Sequence, residues 1–168
     1  MNRSNFDFLK TMFVFLDYTN FNLVVINQTS PDVQLISNSE KIKVINSFEK
    51  GLSHSRNLAL KTATKDLLIL TDDDVVFQPD FEECVVKAFN TNATHDGFRF
   101  QFLNGKGNLA KKYPHQFENK LSNLEILNTS SVELVFKRKS VQEAKIQFDT
   151  DFGLGTEFAM GEEAIFVA

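Results

Sequence analysis

With 168 residues, 42% of them hydrophobic and 24% charged, the chain can build one domain with a real core and is too short for two ordinary ones. A net charge of -4 and a pI near 5.4 weigh against nucleic acid as the main partner. The single cysteine, Cys84, rules out an intrachain disulfide, the three histidines are too scattered for a sequence-local zinc site, and a reducing, cytoplasmic compartment is expected.

No run approaches the roughly 20 apolar residues of a membrane span, and Met1 to Asn5 lacks the charged-then-apolar plan of a secretion signal. Phe6, Leu9, Phe13 and Leu16 recur at helical spacing and predict a first helix, ended by the polar run Asp17 to Asn20. Leu23 to Ile26 is a short apolar run rich in β-branched residues, which reads as a buried strand, and Ile42 to Ile45 repeats the pattern more weakly. Gly51 punctuates the chain, Ser53 is the expected N-cap, and Leu58, Ala59 and Leu60 carry a helix toward Thr64.

Leu67 to Leu70 is the most strand-like run, and it leads straight into Asp72-Asp73-Asp74. Phe81 to Phe89 predicts a helix opened by Pro79-Asp80, with Cys84 expected as a small buried group on it, and Gly97 to Leu103 alternates as a strand. Asn104 to Asn128 loosens into a long connection in which His115 reads as a solvated loop residue. Val132 to Phe136 predicts a further strand, Val141 to Ala144 a short helix, and the glycine-rich segment from Phe148 ends in a helix that carries Glu162-Glu163. The eighteen phenylalanines are expected mostly in the core.

Carboxylates at the C-terminal end of a buried strand lie where open α/β sheets bind ligands. In extended backbone Asp72 and Asp74 point the same way and Asp73 the opposite way, so the first two can share a hard cation, Mg2+ or Mn2+, with a substrate diphosphate. A solvated acidic loop is the bland alternative. Gly51 to Asn57 joins a glycine turn to a helix start, where exposed amides and Arg56 can take an anion; in the bland alternative Ser53 merely caps and Arg56 is a surface charge.

Taken together, Gly51-x-Ser53-x-x-Arg56-Asn57, Asp66 to Asp74 and Pro79-Asp80-Phe81 resemble the family 2 glycosyltransferases of GT-A fold. Phe148-Asp149-x-x-Phe152-Gly153-Leu154-Gly155 followed by Gly161-Glu162-Glu163 is similar to the acidic motif of the same family. Two departures stand out: nothing before Phe6 matches the family's first strand, and Asn27-Gln28 replaces the aspartates that usually contact the base.

The resemblance implies an α/β, Rossmann-related mixed sheet flanked by helices, in one domain spanning 1-168 that is a catalytic core incomplete at both ends. It implies a metal-dependent, inverting transfer from a nucleotide-diphosphate sugar, UDP-linked, to a glycan or lipid-linked acceptor, in bacterial surface polysaccharide synthesis. The expected setting is the cytoplasm at the inner face of the membrane. Asp74 and Asp72 are the expected ligands of Mn2+ or Mg2+, and Asn27, Gln28, Ser53, Arg56, Asp72 and Asp73 the expected donor contacts. Glu163 is the expected base, with Glu162 the near alternative. A nucleotidyltransferase and a non-catalytic nucleotide-sugar-binding fragment are the competing readings; the former should carry a glycine-rich basic signature after its first strand.

Overall fold

A computed structural model describes residues 2–114 and 120–168 of the chain, so His115 lies outside the described residues. The first helix is shorter than its periodicity predicts. Helix α1 (Asp7–Met12) buries Phe8, Leu9 and Met12, and Phe13 ends it before a 3-10 turn at Tyr18–Asn20. Strand β1 (Leu23–Gln28) pairs in parallel with β2 (Ile42–Ser47), Leu23 opposite Ile42 and Gln28 opposite Ser47. Leu35, Val25 and Ile42 join α1 in a first apolar core, and a chain of phenylalanines extends it. Phe13 lies 4.8 Å from Phe77, and Phe77 lies 4.5 Å from Phe81, ring centre to ring centre.

Helix α2 (Leu52–Thr62) follows and packs on β1. Its N-cap is Gly51, at φ +113°, and not Ser53. A residue with a Cβ rarely adopts that backbone, and a Cβ there would also meet the His54 ring at 3.0 Å. Strand β3 (Leu67–Ile69) delivers the chain to the aspartate triplet, and α3 (Phe81–Thr91) returns it. On α3 it is Val85 and Phe89 that face the core; Cys84 is exposed, which corrects its expected burial.

Strand β4 (Gly97–Arg99) stops well short of Leu103, and β5 (Leu134–Lys137) lies between β3 and β4, antiparallel to both. Among the described residues the strands form a parallel pair and an antiparallel trio, so both kinds of pairing occur in an α/β fold, as expected. Asn2 donates its backbone N–H to the Gln28 carbonyl, so the N-terminal residues run beside the end of β1.

The connection after β4 has more structure than its composition suggests. Helix α4 (Asn123–Leu127) opens on a capping box in which Ser122 and Glu125 satisfy each other's backbone. Ser130 and Glu133 repeat the device at a 3-10 turn, Ser131–Glu133. Glu133 is 1% exposed, paired with Lys111 at 2.7 Å and accepting the Tyr113 hydroxyl at 2.6 Å. Burial, with the Glu133 hydrogen bond next, pushes the Tyr113 hydroxyl far above its ordinary pKa.

Helices α5 (Arg138–Glu143) and α6 (Glu162–Val167) complete the chain. Phe148 is 2% exposed and stacks on Phe166 at 4.1 Å and 7°, in a second core with Leu60, Leu68, Leu70 and Val141. No helix of the described residues is long and apolar enough to cross a membrane.

Candidate active site

The N-terminal turns of α2 grip the C-terminal acidic segment through four sets of hydrogen bonds. Leu52 donates its backbone N–H to the Leu154 carbonyl at 3.0 Å. The Ser53 hydroxyl donates to the Phe152 carbonyl at 2.6 Å. The Asn57 amide both donates to the Phe148 carbonyl and accepts from the Phe148 N–H, each at 2.8 Å. Arg56, between them, reaches the carboxylates that open α6.

Arg56 is 7% exposed, and its guanidinium is shared. One terminal nitrogen lies 3.1 Å from Glu162 Oε1 and 3.0 Å from Glu163 Oε1, while the other donates to Ser131 Oγ at 2.7 Å. The Phe148 ring lies beneath it, 5.2 Å from the guanidinium carbon to the ring centre. Three contacts of the fork are thus to protein oxygens, two carboxylates and a hydroxyl.

The two glutamates differ in surroundings. Glu162 is 4% exposed, and its Oε2 is buried with no hydrogen-bond partner among the described residues. Gly153, at φ +106°, closes over it: a Cβ at that position would stand 3.3 Å from Glu162 Cδ and 3.2 Å from Ser53 Oγ. The Glu163 side chain keeps 18% of its surface open to solvent.

Of the three aspartates, Asp73 turns away toward the N-terminus, where Arg3 holds Oδ2 at 2.5 Å and 2.7 Å through two nitrogens. Asp72 and Asp74 are exposed. Although it presents surface to solvent, Asp72 has a pKa raised above the ordinary aspartate value. Partial desolvation is the main cause; Asp74, Glu163 and Asp73 push the same way and Arg56 opposes them. Asp72 therefore lies in the field of both Arg56 and Glu163, so the triplet and the α6 start belong to one electrostatic site.

Other expected donor contacts are structural in this fold. Asn27 is 0% exposed; its amide donates to the Arg3 carbonyl and to Asn46 Oδ1, each at 2.9 Å, and accepts from the Arg3 N–H at 2.8 Å. Gln28 donates to the carbonyls of Gly51 at 2.7 Å and Glu49 at 3.1 Å, bracing the turn before α2. Ser53 is also 0% exposed. Asn27 and Ser53 brace the site from behind, their amide and hydroxyl groups paired with protein partners, while Gln28 is only partly buried. Sequence reasoning missed Ser131 and Arg3 as neighbours of the site, and gave Phe148 only as part of the acidic motif.

Hard oxygen ligands with unbalanced negative charge fit a divalent cation at Asp72 and Asp74. Among the described residues no three His, Cys, Asp or Glu side chains are grouped to hold an ion unaided, so oxygens from a substrate would have to complete the coordination.

The model of the family described as "Glycosyl transferase family 2" matches residues 6–151. Among solved structures, the chain is similar to S. aureus TarS 1-349, with 18% identity and a TM-score of 0.68 over 96% of this chain and 48% of that one. It is likewise similar to the same protein in complex with UDP, with 19% identity and a TM-score of 0.66 over 96% and 48%. For the complex with UDP-GlcNAc the values are 18% and 0.60, over 85% and 43%. These likenesses show the fold, and the chain spans about half the length of the structures it matches. Among curated proteins no relative matches.

Proposed function

Because this chain belongs to glycosyl transferase family 2, we propose that it carries the core of a metal-dependent, inverting glycosyltransferase. The donor is a nucleotide-diphosphate sugar and the acceptor a hydroxyl of a glycan or lipid-linked glycan. The observation that carries this reading is the Glu163 carboxylate, held 3.0 Å from Arg56 and still open to solvent, in a chain whose strand β3 leads into the aspartate triplet. A protein of the same fold, S. aureus TarS 1-349, solved with UDP and with UDP-GlcNAc, supports a UDP-linked donor. The family match favours sugar transfer over the nucleotidyltransferase alternative.

Asp74 and Asp72 would hold Mn2+ or Mg2+, and a bound ion would supply positive charge against the charge growing on the departing diphosphate. Glu163 takes the proton from the acceptor hydroxyl as that oxygen bonds to the anomeric carbon and the bond to the diphosphate breaks. One displacement inverts the anomeric centre, and no covalent bond to the protein forms. Glu162, enclosed by Gly153 and Ser53, is too walled in to meet an acceptor, which supports Glu163 as the base. The setting that fits such chemistry is the cytoplasmic face of a bacterial membrane, in surface polysaccharide synthesis.

Isothermal titration with UDP tests the donor site. Binding that requires Mn2+ or Mg2+, is lost in EDTA and is lost in Asp74→Asn is the expected result; equal binding by the variant removes Asp74 from the metal site.

A further inference from the structure

Arg56 lies between a glutamate that reaches solvent and one that does not. Its guanidinium touches Glu162 and Glu163 with one nitrogen and Ser131 with the other, while Phe148 covers its face. Glu162 is enclosed by Gly153 and Ser53, so it can serve the guanidinium but not a substrate. Ser131 and the Phe148 ring fix the plane of the fork. With its plane and one carboxylate fixed inside the fold, the free direction of the fork determines where Glu163 Oε1 stands. A buried arginine held this way is a rigid arm, and a planar fork does what an ammonium point charge cannot.

We propose that Arg56 is the positioning residue of the base, with Glu162 and Ser131 as its anchors, and that it is not a ligand of the donor phosphates. This rests on the glycosyltransferase reading and on Glu163 as base. The anchors act only through Arg56, and Arg56 acts only through Glu163. A residue that acts through another loses its effect once that other is disabled, whereas a residue that merely supports the fold, or that binds phosphate, keeps it.

The test is a double-mutant cycle on turnover at saturating donor and acceptor, with UDP affinity measured on the same proteins. Glu163→Gln is expected to lower kcat by roughly two to four orders of magnitude. Arg56→Lys keeps the charge and loses the fork, and is expected to lower kcat about ten- to a hundredfold, the usual effect of a small misplacement of a reacting group. UDP affinity should stay within about twofold of the original chain, and the double variant should turn over as slowly as Glu163→Gln alone, within about twofold. Ser131→Ala, a milder change should Arg56→Lys fold poorly, is expected to lower kcat less and to be masked by Glu163→Gln in the same way. Multiplying effects of Arg56→Lys and Glu163→Gln would overturn the proposal. So would a loss of UDP affinity in Arg56→Lys with kcat unchanged, which would return Arg56 to the phosphates. An original chain that binds UDP with metal but neither transfers nor hydrolyses sugar would overturn the glycosyltransferase reading, and this proposal with it; multiplying effects in an active enzyme overturn this one alone.

Discussion

The aspartate turn and the start of α6 both concentrate carboxylates, yet they hold them in different ways. Asp72 and Asp74 are exposed, and like charge from Asp74, Glu163 and Asp73 adds to the desolvation that raises the pKa of Asp72. Glu162 and Glu163 are drawn together on Arg56, inside a layer formed by Ser53, Gly153, Ser131 and Phe148. The first region has charge left over for a cation that arrives with substrate. The second has a built-in cation and needs none, so its geometry is fixed before anything binds. Removing a charge should therefore cost the fold little in the first region and much in the second.

The largest expected effect follows from breaking the built-in pair. Arg56→Ala leaves Glu162 buried without its counter-ion, a change that typically costs about 3–5 kcal/mol. Urea unfolding should show that loss, while Asp74→Asn should leave the midpoint unchanged or higher. Equal midpoints for Arg56→Ala and the original chain would mean that the α6 start is as loosely held as the aspartate turn.

A smaller effect is expected one position along α2. Asn57→Ala strips both hydrogen bonds from the backbone of Phe148, which is 2% exposed, at a cost of about 1–3 kcal/mol for polar groups left unsatisfied. Asn57→Asp separates the two bonds, since it can still accept from the Phe148 N–H but cannot donate to its carbonyl. Thermal unfolding should place it between the original chain and Asn57→Ala.

The smallest effect concerns pH and sharpens the contrast from the other side. Asp72 holds its proton more tightly in the folded chain than in the unfolded one, so its ionisation costs stability. That cost is absent below about pH 4, the ordinary aspartate value, and grows as pH rises through the raised folded value. Asp72→Asn should melt slightly above the original chain at pH 7, and the two should converge under acid. Added Mn2+ should narrow the gap at pH 7. A variant that melts lower at pH 7 would show that Asp72 is stabilised by a partner rather than opposed by its neighbours.

Local pattern revealed much of the scaffold. The strand before the aspartates, α2, α3 and the helix at Glu162 all fall where periodicity and punctuation put them, since each depends on residues close in sequence. The two Ser-x-x-Glu boxes at Ser122 and Ser130 were equally local signals, and they mark the structure hidden in the loose-looking connection. What local pattern could not show was the direction of side chains toward distant partners. Asn27 is expected as a ligand contact from the family resemblance, and Arg56 from its place one turn into a helix after a glycine turn. Their partners, Arg3 and Asn46 for one and Glu162, Glu163 and Ser131 for the other, come together only through the tertiary fold. Cys84 followed the helix period but fell on its outer face, since Val85 and Phe89 fill the inner one.

The grip of α2 on the acidic segment also has a bearing on how fast the molecule assembles and comes apart. Asn57 meets a partner 91 residues away, Ser53 one 99 residues away and Arg56 one 106 residues away. Contacts of such separation require most of the chain to be closed into a loop first, and their entropy cost falls before any of their bonds are made. They are therefore expected to form late, after β1, β2 and α1 have settled on one another. In a chevron, weakening them should raise the unfolding limb and leave the refolding limb almost where it was. The lifetime of the intact site, rather than the speed of its formation, is what these three side chains control.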